Sequence, residues 1–476
     1  MCGIFGIVGC EDVYDELIYG LTTLQHRGQD ASGIVTLDHT FNVKKGVGLI
    51  NDVFCDGNAD KLKGNVGLGH IRYSTKGSTD LVDAQPFTVN YPFGLAMVHN
   101  GNVTNFENLN HSLAKKHHRM LSSTNDVELI LDILGLELEK RNLNDLSVDD
   151  IFSSVEAIQR KVKGAYATIS IIAEHGMLAF MDPSAIRPLI FGKKESSAGI
   201  SYAFASESTC LDRLGYDALH NLQPGEAMYI DKEKKIHSKI CFQKDLAFCI
   251  FEYIYFAKED SVIRGRLVAS ERERMGYALA RKFREKGLYP DVVIDVPSAA
   301  YFCAQGLADA LGVPYKRGLV KNNNTKRSFI SPTKKLRETI VSRKLNPIKS
   351  HIHGKSVAVV DDSIVRGTTS KYIIRQLRNF GAKEIYFASA SPPLKHPCIY
   401  GIDMSRRDEM IASKKSEEEI RLFIEADALI YPTVEDFRKL YKGEKFCDAC
   451  FSSDYPTEVS EKVFYSIEKE KLLTCR

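Results

Sequence analysis

Cys2 stands one residue from the start of a 476-residue chain and opens an apolar, Gly-punctuated run, CGIFGIVG. With Met1 removed, its thiol would lie beside a free α-amino group, whose ordinary pKa is about 7.7–8.0. Such an amine can act as general base for its own side chain, so no separate histidine is required. Further along come HRGQDASG, GHIRYST, HNGN and SSTNDVE. Arg72 could clamp the α-carboxylate of an amino acid through two parallel N–H donors. Asp126 could receive the α-ammonium, while the Asn100 amide and the Gly101 N–H could donate to an oxyanion. Each residue alone has a plain structural use, but together they supply what attack on a side-chain amide needs.

A second set lies in VAVVDDSIVRGTTS, residues 357–370. Here an apolar strand delivers Asp361 and Asp362 at its carboxyl end, where ligands bind in an α/β sheet. The turn through Arg366, Gly367, Thr368 and Thr369 then opens a helix, a setting that suits a phosphate monoester. The paired acids suit sugar cis-hydroxyls or a hydrated Mg²⁺. A third set is Cys447 and Cys450 in FCDACF, half a metal site or a redox pair. Cys249 and Cys398 are far away in sequence, and four thiolates would suit Zn²⁺ or a [4Fe–4S] cluster equally well.

These residues need elements to position them. Strand-like runs rich in aromatic and β-branched residues (CGIFGIVG, GNVGLGHIRYS, GLAMVHNG, YATISIIA, GMLAFMD, SYAFASE) fill the first 235 residues. Helical spacing occurs near 14–24 and 125–140, which predicts a layered α+β domain. From about 265 the pattern alternates, with a helix over 268–286, a strand over 291–296, a helix over 299–311 capped by Gly312, and a strand over 356–361. Strand–helix–strand alternation predicts a parallel sheet. The expected division is 2–235, 255–440 and a C-terminal segment, 441–476, that carries the C-x-x-C.

Composition excludes several classes. The chain is 44% apolar and 26% charged with a net charge of +3, so it is neither disordered nor a polycation seeking nucleic acid. No apolar run reaches the length of a membrane span. There is no Lys or Arg before Arg27, so no secretory signal is legible. Eleven cysteines in so long a chain point to reduced thiols, ligands or a nucleophile rather than a disulfide scaffold, and to a cytoplasmic protein.

The first domain resembles the class II, N-terminal-nucleophile glutamine amidotransferases, whose motifs MCGIFGI, HRGQDASG, GHIRYST, HNGN and SSTNDVE it matches in order. The resemblance implies a four-layer αββα sandwich, Cys2 as nucleophile, Arg72 and Asp126 as the glutamine-binding pair, and Asn100 with Gly101 as oxyanion hole. VVDDSIVRGTTS resembles the phosphoribosyltransferase motif, in which the two acids meet the ribose hydroxyls and the turn holds the 5-phosphate. From Cys2 to about Pro456 the chain is similar to the glutamine phosphoribosylpyrophosphate amidotransferase family, with FEYIYFAKEDS and SPPLKHPCIYGID also matching. That implies Ntn-type and α/β phosphoribosyltransferase domains, and ammonia passed internally from glutamine to phosphoribosyl pyrophosphate to give 5-phosphoribosylamine, glutamate and pyrophosphate. This is the first step of purine biosynthesis.

The same resemblance implies Mg²⁺ at Asp361 and Asp362, a [4Fe–4S] cluster on Cys249, Cys398, Cys447 and Cys450, purine nucleotide inhibitors and a homotetramer. It implies no nucleic-acid or membrane partner. The basic segment 321–349, nine Lys or Arg against Glu338, corresponds to the loop that closes over pyrophosphate. Two departures stand out. The turn after Pro297 reads Ser298, Ala299, Ala300 where the family has a PDSG-like turn, so a hydroxyl ligand is missing or shifted to Ser298. The segment 321–330, KNNNTKRSFI, lacks the aromatic and Gly residues common before the Arg. These departures motivate a second reading, a phosphoribosyl-ligand-binding regulator or paralogue with altered transferase activity. Six cysteines (Cys10, Cys55, Cys210, Cys241, Cys303, Cys475) have no assigned role.

Overall fold

The computed structural model describes residues 1–55, 61–73, 81–321, 345–404, 406–461 and 463–464. Ser74 and Thr75 of GHIRYST, residues 322–344 of the basic segment, and Cys475 lie outside the described residues.

Two antiparallel sheets carry the first half. One has seven strands in the spatial order 217–221, 190–196, 199–205, 3–8, 66–72, 31–37 and 41–47. The other has six, in the order 236–240, 226–231, 176–181, 164–172, 95–103 and 87–89. Their facing surfaces share one apolar core that includes Ile4, Val35, Leu68, Val98, Ile169, Ala179 and Phe204. Outside the seven-stranded sheet, the helix Tyr14–Thr23 buries Leu17 and Leu21 against Phe5 and Ile71. Outside the other sheet lie the helices Asp126–Glu139 and Val148–Lys161. The layers are therefore α, β, β, α, as the resemblance implies.

Helices expected near 14–24 and 125–140 are present as 14–23 and 126–139. The helix Val148–Lys161 was not among the expectations, although its signals are in the sequence. Ser147 and Asp150 form a reciprocal capping box, and Ile151, Phe152, Val155 and Ile158 share the buried face.

In the second half, four parallel strands run in the order 292–295, 356–361, 384–389 and 428–430. Both faces are covered, as parallel sheets require. The helices Val268–Glu285 and Tyr301–Leu311 bury Leu279, Phe283 and Leu307 in one core. The helices Thr368–Asn379 and Glu417–Ile424 bury Ile373, Ile374, Leu377 and Ile420 in the other. Helix 301–311 ends at Gly312 with φ +71°, the left-handed cap read from the sequence.

The two halves are in direct contact at residues 101–102 and 399–401. Asn102 Nδ2 donates to the Ile399 carbonyl at 2.7 Å. A Cβ on Gly401 would lie 2.8 Å from the Gly101 oxygen, so the two backbones pass closely.

Candidate functional site

Strand 3–8 starts one residue after Cys2, and its pairing with strand 66–72 (Gly3 opposite Ile71) brings Cys2 beside Arg72 and Tyr73. The Cys2 Sγ lies 3.8 Å from the Tyr73 oxygen and is partly exposed. A pocket is lined by Cys2, Arg72, Tyr73, Gln85, His99, Gly101, Asn102, Asn125 and Asp126. Cys2, Arg72, Gly101 and Asp126, from four separated motifs, thus converge, whereas Asn100 is not among the lining residues. Met1 precedes Cys2 in the full chain and is buried, and burial pushes its amine down to about 5.

Asp126 is placed by its own helix start. Asn125 caps the helix by accepting from the Val127 N–H, and Asn125 Nδ2 donates to the Asp83 oxygen at 2.7 Å. The Asp126 carboxylate accepts from the Val103 N–H at 2.9 Å and lies 3.3 Å from His99 Nδ1. Arg72 is buried on strand 66–72, 3.8 Å from Asp83. On strand 95–103, the Asn100 amide nitrogen is buried and has no hydrogen-bond partner among the described residues. A buried donor left unmade is costly unless a ligand uses it. Gly101 adopts φ +153°, and a Cβ there would fall 1.9 Å from the Ala165 oxygen, so only glycine fits.

Several residues here were not individually singled out. Arg27, inside HRGQDASG, is buried and donates through Nε to the Cys2 carbonyl at 3.0 Å. Its terminal nitrogens meet Glu207 and, at 3.0 and 3.1 Å, Glu252. Burial opposes ionisation of Glu207, but His26 and Arg27 outweigh it and hold its pKa well below the usual carboxylate range. Gln85 accepts from the His99 N–H at 2.7 Å and fixes the strand before Asn100. Arg27 was visible as part of a motif, whereas Glu207 and Glu252 are 180 and 225 residues away from it and carry no local signal.

At the second site, Asp361 ends strand 356–361 and is buried, with Asp362 partly exposed beside it. The Asp362 N–H donates to Asp361 Oδ1 at 2.9 Å, and Ser363 Oγ to Asp362 Oδ1 at 2.7 Å. Burial raises both carboxyl pKa values, and the Asp362 charge raises that of Asp361 further. Gly367, at φ +72°, precedes helix 368–379, and Thr368 and Thr369 are exposed at its first turn. Arg366 is paired with Glu409 at 2.5 Å. On the neighbouring strand, Asp295 accepts from the Tyr315 hydroxyl at 2.8 Å, a partner the sequence did not reveal. Ser298 is exposed in the turn that follows, with Ala299 beside it.

The third set also gathers. Cys249 and Cys447 face each other in a short parallel pairing of 248–249 with 446–447. The Cys450 oxygen accepts from the Lys395 and His396 N–H groups, which brings in the loop carrying Cys398. Burial pushes the Cys249 thiol up to about 11, and burial together with the other thiols raises Cys447 and Cys450. Among the described residues no group of three or more His, Cys, Asp or Glu side chains is placed to hold a metal ion.

Two domain families match the chain. A glutamine amidotransferase domain family matches residues 70–213, and a phosphoribosyl transferase domain family matches residues 271–392. The molecule is thus a glutamine amidotransferase joined to a phosphoribosyl transferase. Over 441 residues it is 45% identical to the amidophosphoribosyltransferase of Pasteurella multocida, covering 91% of this chain and 88% of the relative. It is 39% identical over 491 residues to that of Saccharomyces cerevisiae, covering 99% and 95%. A solved Bacillus subtilis glutamine phosphoribosylpyrophosphate amidotransferase, complexed with ADP and GMP, superposes with TM-score 0.85 at 38% identity, covering 97% of this chain and 98% of that one. The chain belongs to the amidophosphoribosyltransferase family.

Proposed function

We propose that the protein makes 5-phosphoribosylamine from glutamine and phosphoribosyl pyrophosphate, with Cys2, Arg72, Asp126, Asn100 and Gly101 carrying the glutaminase step. The single observation that supports this most is the pocket in which Cys2, Arg72, Gly101 and Asp126 meet, next to a buried Asn100 amide with no partner among the described residues.

Arg72 clamps the α-carboxylate of glutamine and Asp126 its ammonium, which sets the side-chain amide against the Cys2 sulfur. The thiolate adds to the amide carbon, and the charge that develops on oxygen is met by Asn100 Nδ2 and the Gly101 N–H. Once Met1 is removed, the α-amine of Cys2 takes the thiol proton and returns it to the departing nitrogen, so collapse expels ammonia and leaves a thioester, which water then hydrolyses to glutamate. Ammonia must remain unprotonated to react, so passage through the contact between the halves suits the chemistry.

At the second site, Asp361 and Asp362 face the ribose hydroxyls, and the Gly367–Thr369 turn holds the 5-phosphate. The adjacent carboxylates, both raised by burial, form a donor pair that a divalent cation would stabilise. Mg²⁺ held there would neutralise charge on the pyrophosphate leaving group. The regulator reading finds no support, since the curated relatives are amidophosphoribosyltransferases.

Cys249, Cys398, Cys447 and Cys450 would hold a [4Fe–4S] cluster: Cys249 pairs beside Cys447, and Cys450 accepts from the backbone of the loop that carries Cys398. In the bound state the cluster would supply a structural brace. No helix among the described residues is long and apolar enough to cross a membrane. A cytoplasmic homotetramer inhibited by purine nucleotides completes the proposal, and the nucleotides bound to the Bacillus relative favour the last part.

The test is pyrophosphate release from phosphoribosyl pyrophosphate and Mg²⁺, with glutamine or ammonium as nitrogen source. Release with both supports the proposal. Glutamate formation without pyrophosphate would refute the transfer half.

A further inference from the structure

Arg187 is fully buried, and the residue before it, Ile186, accepts from the Cys249 N–H at 3.1 Å. Burial alone would lower its pKa, but Cys249, Cys398, Glu252 and Cys447 outweigh this and raise it. Tyr400, whose carbonyl accepts from Arg187, donates its own N–H to Cys398 Sγ at 3.4 Å.

Two arms lead from it to the chemistry around Cys2. In the first, Arg187 Nη1 lies 3.7 Å from Glu252 Oε1. The same Glu252 carboxylate holds Arg27 at 3.0 and 3.1 Å, and Arg27 Nε donates to the Cys2 carbonyl at 3.0 Å. All three side chains are fully shielded from water, so these charges interact strongly and are not screened by salt. In the second arm, Arg187 Nε donates to the Tyr400 oxygen at 2.9 Å, with Nη2 on the same oxygen. Tyr400 lies between Ile399, whose carbonyl takes the Asn102 amide, and Gly401, which packs on Gly101. Its loop also carries Cys398. One arm ends at the backbone of the nucleophile and the other at the strand that carries the oxyanion donors.

We infer that Arg187 and Glu252 are positioning residues that couple the four-cysteine site to the glutaminase centre. The inference rests on the glutaminase reading of Cys2 and on side chains present in the chain. The contacts of both residues run to Arg27 and Tyr400, on the glutaminase side, so loss of the coupling should affect glutamine use and spare the reaction with free ammonia. It should lower kcat rather than raise KM for glutamine, because Arg72 and Asp126 are held by other contacts.

The experiment compares Arg187→Met, Arg187→Lys and Glu252→Gln with the natural protein, purified anaerobically. It measures kcat and KM for glutamine, the ammonium-dependent rate, and iron and acid-labile sulfide content. We expect the glutamine-dependent kcat to fall about 10–100-fold in Arg187→Met and Glu252→Gln, with the ammonium-dependent rate held within about twofold and partial recovery in Arg187→Lys. Should Arg187→Met fail to fold, Glu252→Gln keeps the volume and carries the same expectation. Equal loss with both nitrogen sources, or unchanged glutamine kcat in folded variants, would overturn the coupling. Failure of the underlying reading is distinct: the natural protein would then show no glutamine hydrolysis.

Discussion

Around Cys2 the site residues stand on paired strands or at the start of a capped helix, and their backbones are fixed by contacts on both sides. Around Asp361 only the strand is so held; Thr368 and Thr369 lie exposed at a helix start, and Arg366 is engaged with Glu409. The first centre is built on paired backbone and a capped helix start, an arrangement that suits oxyanion stabilisation. The second presents an open edge at the end of a parallel sheet, where substrate and cation complete the arrangement. The contrast follows from the folds, since the first centre is built on paired strands and a capped helix, whereas strand ends face outward.

Substitutions should respect that division. Changing both Asp361 and Asp362 to Asn should abolish pyrophosphate release with either nitrogen source and leave glutamine hydrolysis measurable, as an assay of glutamate beside pyrophosphate would show. At the first centre, Asn100→Ala should lower the glutamine-dependent kcat by about 10²–10³-fold, with the ammonium-dependent rate unchanged. A drop in both rates would mean that the two centres are not separable.

The smallest effect concerns stability, far from either centre. His220 lies 2.8 Å from Glu226; its pKa is raised by the hydrogen bond to Glu226, and burial opposes this. A raised histidine contributes stability that is full below its unfolded pKa, near 6.5, and is lost as pH rises through the higher folded value. Burial opposes ionisation of Glu226, but its bonds from His220 and Ser238 lower its pKa, so its share is lost as pH falls below about 4.5. His220→Asn should therefore cost under about 1 kcal/mol near pH 5.5 and almost nothing at pH 9, read from thermal unfolding at the two values.

Legibility in the sequence followed the same line. The strand runs, the alternating second half and the cap at Gly312 could be read because they depend on neighbours in the chain. Cys2, Arg72, Gly101 and Asp126, which line one pocket, could be picked out because each sits in a compact motif, whereas Gln85 of the same pocket sits in none. What could not be read is long-range. Cys249 meets Cys447 only through the pairing of 248–249 with 446–447. The Arg27–Glu252–Arg187 chain links residues whose types alone suggest surface charges. Asp295 hides at the end of VVID, where burial against Tyr315 distinguishes it from an ordinary turn acid. The missed helix 148–161 is different, because its capping box and apolar spacing were local and sufficient.

The central claim is that Cys2 feeds nitrogen to a separate phosphoribosyl site. Its most direct test is the rate of pyrophosphate release by Cys2→Ala with glutamine and with ammonium. The account predicts no glutamine-dependent release and an ammonium-dependent rate close to that of the natural protein. Glutamine-dependent release that survives the substitution would contradict it.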